Sequence, residues 1–288
     1  MTGKTCMVTG ATGGLGYQTA LALARQGAEV IVVGRNAAKG RAALDKIRAA
    51  TGSDAITFMQ ADLASQTNIR ALVDQFHAAH DRLDVLVNNV GARFKERRTS
   101  PDGIEMTFAL NHLAPFLLTH LLLDTLKASA PARIVNVASG AHYDAAPNFD
   151  DLQNARAYDP GKAYRESKLA NVWFTYALAR RLAGTGVTVT AADPGNVWTS
   201  FFTSARLNPL KLIYLRLRAS RPEDGAKTIV YLASSPDAAG LTGQYFYDSQ
   251  PARSSALSYD EAAAERLWTA SESLLGLGAP GAEARGPE

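Results

Sequence analysis

Tyr164 and Lys168 stand four residues apart in the run Tyr164-Arg165-Glu166-Ser167-Lys168. At that spacing on a helix, the two side chains lie one above the other on the same face. A phenol is a poor acid–base catalyst at neutral pH, because its unperturbed pKa is about 10. A neighbouring ammonium favours the phenolate. At ~4 Å and an effective dielectric of ~20 the attraction is about 4 kcal/mol, which corresponds to roughly three pKa units. That would bring Tyr164 toward the range where it can trade a proton with a substrate oxygen. Ordinary helix surfaces carry the same pair, so its meaning depends on the residues upstream.

The first of these form the turn Thr9-Gly10-Ala11-Thr12-Gly13-Gly14-Leu15-Gly16, between an apolar run at 4–8 and a helical pattern through Arg25. A glycine pattern is informative when it joins a strand to a helix. Gly10 lets the chain turn sharply, Gly14 and Gly16 let backbone approach a pyrophosphate, and the helix N-terminus offers free N–H groups. Glycine clusters also serve as plain turns, so placement after the first strand carries the weight. The second strand pattern ends Val33-Gly34-Arg35-Asn36. A carboxylate there would bond the ribose 2′-hydroxyl of NAD. With Gly34 and Arg35 in its place, a 2′-phosphate meets a guanidinium, and Lys39 lies one helical turn on. This pattern predicts NADP(H) in preference to NAD(H); the bland alternative is a solvated Arg35 at a strand end.

Positioning these groups requires alternating strands and helices. Short β-branched runs at 4–8, 29–33, 55–59, 83–87, 132–137, 187–191 and 244–247 read as strands. Between them lie helical patterns, at 36–50, 67–80, 103–127 (with a kink at Pro115), up to about Arg181 around Tyr164, 222–233 and 259–274. The alternation predicts a single-domain α/β fold: a Rossmann-type, doubly wound, parallel seven-stranded sheet with helices on both faces. The domain spans 1–275, and 276–288, rich in Gly, Ala and Pro, reads as a flexible tail.

Of the 288 residues, 47% are hydrophobic and 20% charged, the balance of a soluble globular protein. A single cysteine, Cys6, excludes an intramolecular disulfide and a cysteine-based metal cage. His77 and His80 share a helix face without a third ligand, so no metal site is predicted. A net charge of +3 gives no reason to expect nucleic acid. There is no signal-peptide pattern and no apolar run approaching the ~18 residues of a membrane span. A cytoplasmic protein is expected.

Taken together, Thr9 to Gly16, Asn88-Asn89-Val90-Gly91, Asn111, Ser139, Tyr164 to Lys168 and Pro194-Gly195 resemble, in order and spacing, the short-chain dehydrogenase/reductase superfamily, in its shorter form. Asn111 to Thr119, Arg133 to Val137, Ser167 to Asn171 and Gly240 to Phe246 resemble the retinol dehydrogenase-like branch. The resemblance covers roughly residues 4–275. It implies catalysis by Asn111, Ser139, Tyr164 and Lys168. Tyr164 would be the general acid in carbonyl reduction and Lys168 would lower its pKa and hold the nicotinamide ribose. Ser139 would bind the substrate oxygen, and Asn111 would keep a water in a proton relay. The implied cofactor site comprises Gly10, Thr12, Gly13, Gly14, Leu15, Gly16, Arg35, Asn36, Lys39, Asp62, Leu63, Asn88, Asn89, Gly91, Tyr164, Lys168, Pro194, Gly195, Val197 and Thr199. A homodimer through the helices carrying Tyr164 and Asn111 is an assembly frequent among relatives.

This chain departs from the family pattern at Val90, where alanine is usual, and at Arg93-Phe94-Lys95-Glu96-Arg97-Arg98, where relatives are more apolar. That loop follows the fourth strand, so it belongs at the ligand-binding edge of the sheet. By the same resemblance, about 198–221 would be the variable substrate flap, and it holds Trp198, Phe201 and Phe202 with Arg206, Lys211, Arg216, Arg218 and Arg221. Arg93, Phe94, Ser139, His142, Tyr164, Trp198, Phe201 and Phe202 are the candidate substrate residues. An oily entrance rimmed with positive charge suits a lipophilic or polycyclic carbonyl or alcohol, with or without an acidic group. It would also suit transient contact with an anionic membrane surface. Two rivals remain: a family member turned to isomerisation, cyclisation or elimination, and a non-catalytic NADP(H)-binding protein.

Overall fold

The computed structural model describes residues 1–197 and 220–277. Its strands are β1 (Thr5–Thr9), β2 (Glu29–Gly34), β3 (Ile56–Gln60), β4 (Val85–Asn88), β5 (Ala132–Val137), β6 (Val187–Asp193), β7 (Gln244–Tyr247) and β8 (Gln250–Ala252). They form one sheet in the order β3-β2-β1-β4-β5-β6-β7-β8, parallel except for the β7–β8 pair. β1 and β5 are buried along almost their whole length rather than at alternate residues, because helices cover both faces. The helices are α1 (Gly14–Arg25), α2 (Ala37–Thr51), α3 (Gln66–Ala79), the single turn α4 (Met106–Phe108), α5 (Ala114–Leu121), α6 (Leu123–Ala128), α7 (Pro160–Arg181), α8 (Pro222–Ser234) and α9 (Glu261–Leu275). One core packs Phe76, Phe116, Trp173 and Leu267 from α3, α5, α7 and α9 on one face. A second packs Leu23, Ile47 and Ile229 from α1, α2 and α8 on the other.

The chain runs outward from β1 to β3, then returns to place β4 on the other side of β1. A crevice therefore opens past the C-terminal ends of β1 and β4, the usual ligand position in such sheets. Four helix starts are capped by short polar side chains. Asn36, Ser65, Asp159 and Asp260 accept backbone N–H groups at the starts of α2, α3, α7 and α9. At α1 the position falls to Gly13, which offers no side-chain cap.

Two expectations need correction. Among the described residues the sheet has eight strands, not seven: β8 folds back through Asp248 and Ser249, both at positive φ (50° and 59°), the conformation of a tight type I′ hairpin. Three residues with a proline at the centre hide such a strand, since proline belongs only on sheet edges. The helix expected over 103–127 is broken. Ala109–Leu113 winds as a π-helix, and Leu122 separates α5 from α6. Pro115 does not kink a helix interior; it sits in the first turn of α5, where its missing N–H costs least. No helix among the described residues is long and apolar enough to cross a membrane. Trp198, Thr199, Phe201 and Phe202 lie outside the described residues, with most of the expected flap. Val197 and Ser220 bridge in parallel, and the Ser220 N–H bonds the Asn196 carbonyl at 2.8 Å.

Candidate active site

Ser139 follows β5 in extended backbone (φ −172°) and caps the 3-10 turn Gly140–Asp144, its Oγ accepting the Ala141 N–H at 3.2 Å. The same hydroxyl hydrogen-bonds the Tyr164 phenol. α7 carries Tyr164 past it and buries Lys168, whose Nζ donates to the Val137 carbonyl at 2.9 Å and lies 5.7 Å from the Tyr164 ring centre. Asn111 comes from the π-helical segment, a device common at functional sites. Its Nδ2 donates to the Ala92 carbonyl and to Ser167 Oγ, both at 2.9 Å, and its Oδ1 accepts the Ala92 N–H at 2.8 Å. A Cβ on Gly91 would stand 3.5 Å from both Asn111 Oδ1 and Lys168 Nζ. The four predicted catalytic side chains are thus brought into one cluster.

The electrostatics differ from the Coulomb expectation. Burial pushes the Tyr164 phenol up to about 12, with the Ser139 hydrogen bond opposing it. Burial likewise brings Lys168 down to about 8, opposed by the charge of Asp193. Desolvation disfavours the charged form of each group. In this geometry the amine gives one hydrogen bond to a backbone carbonyl, and burial wins over the attraction that sequence spacing suggests.

Thr9 and Asn89 sew the crevice together. The Asn89 Nδ2 donates to the Thr9 carbonyl at 2.8 Å, and Thr9 Oγ1 accepts the N–H groups of Asn89 (2.9 Å) and Val90 (3.1 Å). A Cβ on Gly16 would fall 2.5 Å from Asn89 Nδ2 and 2.6 Å from the Gly10 carbonyl, so α1 approaches this turn as closely as only glycine allows. At Gly13 a Cβ would meet nothing within 4 Å. An uncapped helix start facing open space fits a phosphate group. At the end of β2, Arg35 and Lys39 are exposed, whereas Asn36 spends its Oδ1 on the Lys39 N–H at 2.9 Å. Asp62 Oδ1 accepts the Ala64 N–H at 3.1 Å beside buried Leu63. The Gly195 N–H is held at 2.9 Å by Asp193 Oδ1 after Pro194. Leu15, Val197 and the Pro194 carbonyl crowd Gly225 of α8, where a Cβ would come within 2.3 Å of Val197. Leu15 and Val197 thus pack α8 against the glycine turn, while Thr12 lies against Gly34.

Two predicted residues take other roles. Asn88 is buried, and its Nδ2 ties β4 to Thr119 (3.0 Å) and Asn136 (2.8 Å) instead of lining the crevice. His142 is fully buried. Its Nδ1 bonds the Ser139 carbonyl at 2.8 Å, and Nε2 accepts the Ser255 N–H at 3.0 Å, leaving neither nitrogen for a substrate. Burial holds it below the usual histidine range. Phe94 offers its carbonyl to the Tyr158 hydroxyl at 2.9 Å. Arg93 stays exposed, near Gly161 at the start of α7. Sequence reasoning missed Asp193, at the end of β6, and Tyr245 of the neighbouring β7, whose side chains hydrogen-bond to each other; an acid immediately before Pro194-Gly195 is the signal that could have found them. A groove of about 340 Å³ along Phe149, Trp173, Leu257 and Arg266 shares no residue with this cluster.

Residues 4–209 match the family model for short chain dehydrogenases, and the chain belongs to that family, in the retinol dehydrogenase-like branch. It is an alcohol/carbonyl oxidoreductase by that membership. Among curated relatives, it is 41% identical to a human polyprenol dehydrogenase, over 95% of this chain and 86% of that protein. It is 42% identical to human retinol dehydrogenase 13, over 96% and 86%. Among solved structures, an uncharacterized Mycobacterium Paratuberculosis protein superposes with a TM-score of 0.78 at 32% identity, covering 96% of this chain and 94% of that one. An active-site complex of Pseudomonas aeruginosa RhlG with NADP gives 0.71 at 27%, covering 85% and 94%. A Brucella melitensis 3-ketoacyl-(acyl-carrier-protein) reductase complexed with NADH gives 0.68 at 26%, covering 85% and 96%.

Proposed function

We propose that this protein moves hydride between NADP(H) and the carbonyl/alcohol pair of a lipophilic or polycyclic small molecule. The convergence of Ser139, Tyr164, Lys168 and Asn111 beside the glycine turn is the observation that carries this. When bound, the nicotinamide supplies or accepts the hydride; the protein supplies position, charge and protons. In reduction the Tyr164 O–H gives its proton to the carbonyl oxygen while Ser139 Oγ holds that oxygen by a hydrogen bond. In oxidation the proton returns to Tyr164. A phenol held up to about 12 is in its acid form at neutral pH, which suits reduction. Asn111 fixes the Ala92 backbone and Ser167, and so the placement of Lys168 one residue on.

NADP(H) over NAD(H) is supported by the missing carboxylate at the end of β2 and by exposed Arg35 and Lys39. A lipophilic substrate is supported by relatives named for retinol and polyprenol. An acidic group on it is supported by Arg93, Lys95, Arg97 and Arg98, all exposed in the loop after β4 with Glu96 the lone acid between them. The purified protein should be given a panel of retinal, long-chain aldehydes and cyclic ketones with NADPH or NADH. The expected result is NADPH consumption with lipophilic carbonyls and a preference over NADH of about tenfold or more, the worth of one charge-assisted contact. Product formation with no loss of NADPH would establish non-redox chemistry instead. Tight NADPH binding without any product would mark a non-catalytic protein.

A further inference from the structure

Asp193 ends β6 with 5% of its surface exposed, and hydride transfer as described leaves it without a task. Its Oδ2 accepts the Tyr245 O–H at 2.5 Å and its Oδ1 accepts the Gly195 N–H at 2.9 Å. Both donors are neutral, so they satisfy the carboxylate without cancelling its charge.

The sheet fixes where that charge lies. Ala192 pairs with Val137 across β5 and β6, and its carbonyl accepts the Ala138 N–H at 2.8 Å. Asp193 is the next residue along, level with Ala138, which lies between Ser139 and the Val137 whose carbonyl holds Lys168. A Cβ on Gly140 would come within 3.3 Å of Asp193 Oδ2. Here the protein places a buried acid directly behind its acid–base pair, where water cannot screen it.

We propose that Asp193 is a positioning residue: it anchors the Pro194-Gly195 turn through the Gly195 N–H and keeps a fixed negative charge behind Tyr164 and Lys168, so that the pair holds its proton at neutral pH. This role rests on Tyr164 being the acid–base group of the hydride-transfer reading. After burial and the Ser139 bond, the Asp193 charge is the next influence on the Tyr164 phenol, and it acts upward. At Lys168 it opposes burial and so preserves the ammonium. His142 and Tyr143, from the turn after β5, face the same charge. From β7, Tyr245 does too; burial and the carboxylate hold its phenol well above the usual range, so it remains a donor. Arg93, from the loop after β4, opposes the charge at Tyr164.

Asp193→Asn removes the charge and keeps the shape, since an amide can still accept the Gly195 N–H. Two readouts separate charge from scaffold. One is the alkaline titration of tyrosinate absorbance, with the Tyr164→Phe protein as background. The other is the pH profile of kcat/KM for NADPH-dependent reduction of the best carbonyl in the panel. Both the Tyr164 titration and the alkaline limb of the profile should move down by about one pH unit, and Asp193→Glu should restore them. A rate that falls equally at every pH, or a titration that does not move, would overturn the proposal. Should Asp193→Asn fail to fold, Asp193→Ser is held to the same shift and the same contrary result. If the native protein turns over no carbonyl, hydride transfer is refuted, and the tyrosinate titration still decides the role of Asp193.

Discussion

A Cβ at residue 34 would sit 2.5 Å from the Thr12 methyl, so a carboxylate at the end of β2 would require Thr12 to move. Arg35 follows, exposed, with Lys39 a turn beyond. Replacing Arg35 by Gln should raise KM for NADPH about 10- to 100-fold and leave KM for NADH nearly unchanged; steady-state kinetics with both cofactors checks this. Gly34→Asp alone should cost about 1–3 kcal/mol of stability through overpacking. Adding Thr12→Ala should recover most of that loss and open the site to NADH, as read by thermal melts and NADH kinetics. The glycine turn, the Tyr–Lys pair and the basic strand end were legible at this scale because each is local in sequence. The direction of a side chain at a strand end or in the turn after it is not, which is why Asn88 and His142 are buried in the interior against that reading. Nor does spacing reveal burial, which reverses the expected pull on Tyr164.

At the scale of elements, the π-helical segment bearing Asn111 is braced from behind. His112 Nε2 bonds Ser271 Oγ of α9 at 2.9 Å, and its ring packs among Phe108, Phe116 and Phe174 at centre distances of 5.2, 6.0 and 6.2 Å. Burial drives its pKa down from 6.5 to about 3. The unfolded chain takes up this proton near 6.5 and the folded one does not until about 3. The neutral ring's contribution is therefore complete above pH 6.5 and is lost as pH falls toward 3. This group alone accounts for an order of 3–5 kcal/mol across that window. His112→Gln should flatten the fall of Tm between those limits, and a native-like slope in the variant would exclude His112 as the cause. Caps and strands could be read from sequence, since Asn, Ser and Asp at helix starts and β-branched runs have local causes. A π-turn has no compositional mark, and a three-residue strand around Pro251 has a misleading one.

At the scale of the molecule, alternating strands and helices dictated a parallel sheet covered on both faces, because parallel strands need crossovers. Where the chain reverses at β1, the crevice gathers residues separated by more than a hundred positions, such as Thr9 and Lys168. That gathering is what a sequence shows only through motif order. The charge on the loop after β4 belongs to this scale too: Arg93 and Arg97 are exposed, with Arg97 Nε donating to the Gln153 carbonyl at 3.3 Å. Changing both to Gln should raise KM for an acidic lipophilic carbonyl about tenfold and leave a neutral analogue unaffected; an equal rise for both would rule out recognition of the acid. The most direct test of the whole account is the rate of NADPH consumption by Tyr164→Phe, measured beside native protein with the preferred carbonyl. Removing the proton donor should lower kcat by about 10²–10⁴-fold with NADPH affinity retained. A variant that reduces the substrate as fast as the native protein would contradict the assignment of Tyr164 as the acid–base group.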